Sequence, residues 1–193
     1  VFFVTIYIGA GLIANDRRAN ALQVYLSKPL TRAEYVGGKF AILFSFLVGV
    51  TWLPAILLLI IQIMFAGSLT FVRENIFLLP AITLYSLAQV LLASSTMLAL
   101  SSLSKSSRFV GVMYAGLIFF TGALFQAVRG ITGASWLAWL SPSDALEQLG
   151  AAIFRLPLRY DLPLWAAVIV VLGLIGGSGG VLERRARAVE EVS

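Results

Sequence analysis

Apolar residues in this chain come in long unbroken blocks, and the charged residues are confined to the joints between them. The stretches 40–65, 76–103, 109–128 and 162–182 contain no Asp, Glu, Lys or Arg. Each reaches the roughly 20 residues that a helix needs to cross the hydrocarbon of a bilayer. None shows the two-residue alternation of a membrane barrel strand, and a helix satisfies its own backbone hydrogen bonds in lipid. The pattern therefore predicts an all-α fold, a polytopic transmembrane helical bundle with four complete spans. The opening apolar run, 1–14, is too short to cross. It reads as the inner end of a truncated span, with Val1 either the first residue of a fragment or a start codon written literally.

One long polar passage interrupts this pattern, from Asn15 to Lys39. Asn15 or Asp16 can cap a helix, Ala19, Leu22, Tyr25 and Leu26 recur at helical spacing, and Pro29 stops the run. This predicts a short amphipathic helix. Thr31-Arg32-Ala33-Glu34 then has the form of a capping box, so a second helix is expected to begin near Arg32 and continue past Lys39 into the next span. The elbow is Lys28-Pro29-Leu30. The apolar face of the first helix suits either a docked protein partner or the bilayer surface.

Charge gives this passage a side. Lys and Arg flanking membrane spans are retained in the cytoplasm. Arg17, Arg18, Lys28, Arg32 and Lys39, then Lys105 and Arg108, then Arg184, Arg185 and Arg187 fall in one alternating set of joints; Arg73, Arg129, Arg155 and Arg159 fall in the other. Ten against four predicts that 15–39 and the tail 183–193 are cytoplasmic and 129–161 extracytoplasmic; the expected location is the plasma (inner) membrane of a prokaryotic cell.

Composition removes most chemistry. The chain is 60% hydrophobic and 12% charged, with no Cys and no His, which excludes disulfides, thiolate nucleophiles, imidazole bases and the commonest zinc ligands. The net charge of +5 lies beside spans, where it orients the protein, so no nucleic-acid partner is expected. No ionisable residue lies well inside a complete span, although ion-coupled transporters usually need one. Gly37-Gly38-Lys39-Phe40 lacks the spacing and hydroxyl of a nucleotide-binding loop. No catalytic residue, cofactor site or metal site is expected in this chain.

Tyr25-Leu26-Ser27-Lys28-Pro29-Leu30-Thr31-Arg32, followed by Tyr35 and Gly38-Lys39 and preceded by Asp16-Arg17, resembles the cytoplasmic loop of exporter-type (type-two) ATP-binding-cassette transporter permeases. Many members have a glycine shortly after the charged pair, where this chain has Ala19 and Asn20. The resemblance implies six spans with both termini cytoplasmic, of which this sequence shows one partial and four complete. It implies a permease subunit that moves substrate across the membrane using ATP hydrolysed, with magnesium, on a separate ATPase subunit. A second permease copy or a related permease would complete the pair. It also implies a coupling helix seated on that ATPase; by position this role falls to Asp16, Arg17, Ala19, Leu22, Tyr25 and Leu26, with Pro29, Thr31, Arg32, Glu34 and Lys39 as elbow and lead-in. The alternative is a membrane scaffold or assembly protein that recruits another cytoplasmic partner through the 15–28 helix.

Smaller signals concern packing. Gly111, Ala115 and Gly122 share a helical face, and Gly173, Gly176, Gly177 and Gly180 form small-xxx-small faces that predict close helix packing, within the subunit in preference to a dimer seam. Pro54 predicts a static bend. Gln89, the most central of Gln62, Gln89 and Gln126, is expected to bond a neighbouring helix, the alternative being that it lines a pathway. Ser141 and Pro142 open a short extracytoplasmic helix to about Phe154, a feature the family resemblance also implies, with Asp144 and Glu147 favourable in its first turns. Trp136 and Trp139 suit a membrane–water interface. The tail arginines can meet anionic lipid headgroups.

Overall fold

The computed structural model describes residues 1–19, 32–66, 73 and 75–187, and among them every element is helical. The first apolar run is a broken helix: α1 (Phe2–Val4), a π-helical turn (Thr5–Gly9) and α2 (Gly11–Arg18). Four long apolar helices follow: α3 (Arg32–Ala66), α4 (Leu78–Leu103), α5 (Ser107–Thr132) and α7 (Leu164–Arg187). Between α5 and α7 lie a 3₁₀ turn (Ser135–Leu140) and the short helix α6 (Pro142–Ile153). The result is an all-helical polytopic membrane bundle, the fold class expected. α3 passes without a break through Lys39 and through Pro54.

Helix α4 is the centre. In its most apolar window 39% of residues are buried, against 6%, 17% and 11% for α3, α5 and α7. The buried face is built from small and hydroxyl residues, including Ala93, Ser94, Ser95, Thr96, Ala99, Ser101 and Ser102. Such a face lets neighbouring backbones approach closely. Its hydroxyls mostly bond back to their own helix: Ser94 Oγ donates to the Val90 carbonyl, Thr96 Oγ1 to Leu92 and Ser102 Oγ to Ala99, each at 2.6 Å. They therefore cost little in an apolar interior. The outer surface of α3, with Leu57, Leu58, Met64 and Phe65 exposed, is instead suited to lipid, which solvates such side chains as readily as a core would.

The broken helix packs into this centre where it has no side chain to interfere. A Cβ on Gly9 would lie 2.4 Å from Met97 Cγ and 3.0 Å from Leu43 Cδ2. Ala10, Ile13 and Ala14 join Leu43 and Leu47 of α3, Met97 and Leu98 of α4, and Leu182 of α7 in one buried cluster. That cluster gathers the C-terminal ends of α2, α4 and α7 and the N-terminal half of α3 at one end of the bundle. The Trp-bearing turn and α6 occupy the other end.

Candidate functional site

The polar residues flanking the 20–31 segment are tied to two different helices. On α2, Asp16 Oδ2 accepts a hydrogen bond from Tyr35 Oη at 2.7 Å and pairs with Lys39 Nζ at 2.7 Å. Tyr35 and Lys39 are one turn apart on α3, so both reach a single carboxylate. The ammonium of Lys39 also lies 5.6 Å from the Tyr35 ring centroid, a cation–π contact. Both charged side chains are about one-fifth exposed, 21% for Lys39 and 18% for Asp16, so the pair is shielded without being dry. The next residue, Arg17, turns the other way and donates from Nη1 to the Ser102 carbonyl at the end of α4. Adjacent residues of α2 thus hold α3 and α4 separately.

One turn earlier on α2, Ser101 of α4 makes a second tie. Its Oγ accepts from the backbone N–H groups of Ile13 (3.1 Å) and Ala14 (3.0 Å) and donates to the Ala10 carbonyl at 3.0 Å. These groups belong to the first turn of α2, directly after the π-helical turn, where the change of helical spacing disturbs the hydrogen-bond ladder. A hydroxyl has one hydrogen and two lone pairs, and here all three are used. Nothing in the local sequence sets Ser101 apart from Ser94, Ser95 or Ser102; it was missed because its partners lie 87 to 91 residues away.

The expected docking residues divide at the edge of the description. Asp16 and Lys39 are paired as above, Arg17 reaches α4 instead, and Ala19, exposed, is the C-terminal cap of α2. Leu22, Tyr25, Leu26, Pro29 and Thr31 lie outside the described residues. Arg32 is the first described residue after them and opens α3, and Glu34 is exposed in the first turn of that helix.

The packing residues also divide. Gly111 is buried, and a Cβ there would lie 3.1 Å from Ile6 Cγ2; one at Gly122 would meet Ser141 Oγ at 3.9 Å, and Ala115 is half-buried on the same helix. Around Gly173, Gly176, Gly177 and Gly180, by contrast, a Cβ would meet nothing within 4 Å, and all four are exposed. Among the described residues α7 packs within the subunit through another side, which carries Ala167, Val171, Ser178 and Leu182, and not through these glycines. Gln62 and Gln126 are exposed. Gln89 makes no hydrogen bond among the described residues and borders a cavity of about 140 Å³ with Phe2, Thr96, Tyr114 and Leu146.

At the far end, α6 is stitched to the chain that follows it. Ser141 caps it, its Oγ accepting from the Asp144 N–H at 3.3 Å, with Pro142 at the first helical position. Gln148, fully buried, donates from Nε2 to the carbonyls of Tyr160 (2.8 Å) and Leu162 (3.0 Å) and accepts from the Tyr160 N–H at 3.3 Å. Asp144 Oδ1 accepts from Tyr160 Oη at 2.7 Å, and Glu147 pairs with Arg159 at 2.7 Å. The acidic pair thus anchors the 154–163 turn as well as occupying the start of its helix. Burial, with the hydrogen bond to Asp144 and the nearby negative charge adding to it, pushes the Tyr160 phenol up to about 12.

What this arrangement offers is mechanical: the N-terminal flank of the polar segment is bonded both to α3, which carries the C-terminal flank, and to α4. Comparison with protein-family models matches residues 1–176 to the family described as ABC-2 family transporter protein. No curated protein and no solved structure matches the chain.

Proposed function

This chain belongs to the ABC-2 family of transporter membrane proteins and is the non-catalytic permease subunit of an ABC transporter, and from that premise we propose that Asp16 to Leu26 is the seat of its ATPase partner. The family implies an ABC ATPase that hydrolyses ATP for the assembly. In this reading the 20–31 end of the bundle faces the cytoplasm of a prokaryotic cell, the tail lies on the same side, and a second permease copy or a related permease completes the path.

The observation that carries the reading is the pair of ties at adjacent residues, Asp16 to Tyr35 and Lys39 on α3, and Arg17 to Ser102 on α4. A push on the docked segment would be delivered to a peripheral span and to the central one at once. Charged and hydrogen-bonded contacts of fixed geometry suit this role, because packed helices shift as units. Leu22, Tyr25 and Leu26 would supply the apolar contact with the ATPase.

The test is co-purification of the ATPase with the full complex after Leu22→Glu and Tyr25→Glu, separately and together. The double variant is expected to lose the ATPase while the permease remains folded in the membrane. Undiminished ATPase recovery would remove the docking assignment.

A further inference from the structure

The residue after the cap of α6 is in a conformation its side chain disfavours. Arg155 has φ of 57°, the only positive value at a non-glycine among the described residues. It closes α6 in a Schellman turn: the Arg155 N–H bonds the Ala152 carbonyl at 3.2 Å and the Leu156 N–H bonds Ala151 at 2.8 Å. That position is ordinarily glycine, because a Cβ crowds the backbone in the left-handed region. The same chain uses glycine when it ends α5, where Gly133 has φ of 70°. At Arg155 the backbone alone would favour glycine, so the feature to explain is the side chain.

Its guanidinium lies 4.5 Å from the centroid of the Phe77 ring, in cation–π contact. Phe77 is the N-terminal cap of α4, so the charge is held at the level where that span begins. Trp136, Trp139 and Trp165, all exposed at this end, suit the boundary between hydrocarbon and headgroups. Arg155 is exposed and, among the described residues, pairs with no carboxylate, unlike Arg159 with Glu147. Stacking on a ring leaves the in-plane N–H donors of a guanidinium available, in the fork that matches two oxygens of a phosphate.

We propose that Arg155, held against Phe77, binds the phosphate of a phospholipid headgroup in the leaflet opposite the Asp16–Lys39 pair. The phosphate completes the donors that the ring leaves open, and the acyl chains lie along the exposed apolar residues near the start of α4, Ile76 and Leu79. The proposal needs the helices to span the membrane but not the ATPase docking assignment.

Native mass spectrometry of the full chain released from micelles containing phosphatidylglycerol measures it, as the apparent Kd of the tightest-bound lipid. Arg155→Gly and Arg155→Asn both suit the left-handed backbone, so neither is expected to lower the melting temperature. Each should weaken that Kd about fivefold, the worth of one basic residue near the membrane surface. Inorganic phosphate added in excess should not displace the lipid. Wild-type affinity in both variants would overturn the proposal, and so would displacement by inorganic phosphate, which would make the ligand a soluble anion.

Discussion

Removing one oxygen from the last turn of α4 should destabilise this bundle more than removing any neighbouring hydroxyl does. Ser101→Ala leaves the N–H groups of Ile13 and Ala14 and the carbonyl of Ala10 without the bonds that the serine supplies. The site is fully buried, so water does not replace the hydroxyl at no cost. Three bonds at the soluble-protein value of about 1 kcal/mol each give about 3 kcal/mol. The average of about 0.6 kcal/mol measured between membrane helices gives about 2 kcal/mol. The expected loss is therefore about 2–3 kcal/mol. Ser95→Ala is the internal control, since that hydroxyl bonds only to the Leu92 carbonyl of its own helix at 3.2 Å. It should cost well under about 1 kcal/mol. Denaturant titration of both variants in the same micelles, followed by circular dichroism, gives the comparison. Equal destabilisation by the two would refute the claim that Ser101 holds the broken helix to the centre.

A double-mutant cycle of Asp16→Asn and Lys39→Met should return a coupling of about 1 kcal/mol that falls as salt is added, because the pair is shielded but still reached by solvent; additivity would mean that the pair carries no tie. Gln148→Leu strands the Tyr160 and Leu162 carbonyls and the Tyr160 N–H, and is expected to cost about 2–3 kcal/mol and to speed amide exchange over 156–162; unchanged exchange would count against the clamp. The Tyr160 phenol has a folded pKa above its unfolded value of 10.0. Its contribution to stability is therefore complete below pH 10 and is lost as pH rises toward about 12. The stability difference between the wild type and Tyr160→Phe should narrow over that window and stay constant below it.

How much of this was legible in the sequence depends on how far apart the partners lie. The spans could be read because about 20 apolar residues in a row have one stable backbone solution in lipid, and the Ser141–Pro142 start of α6 because a cap bonds within its own turn. Asp16, Arg17 and Lys39 could be singled out as a charged frame around a polar segment. Which helix each one grips could not, since nothing in the spacing of Asp16 and Tyr35 distinguishes a bond to α3 from one to α4. The glycines of α7 show the opposite error. Small-xxx-small spacing states that a helix can be approached closely, but not from which side. Here the buried side is the one carrying Val171 and Ser178.

By itself the sequence determined the solvent, the number of long helices, the absence of Cys and His chemistry, and the polar segment that interrupts the apolar pattern. All of these follow from residue type and local periodicity, which act over a few turns. The tertiary structure decided that α4 is the centre, that Ser101 and not its neighbours closes the break in the first helix, and that adjacent residues of α2 pull on different spans. Those outcomes depend on which groups meet across 19 to 91 residues of chain, and a hydrogen bond of 3 Å or less is selective only once folding has brought its donor and acceptor face to face.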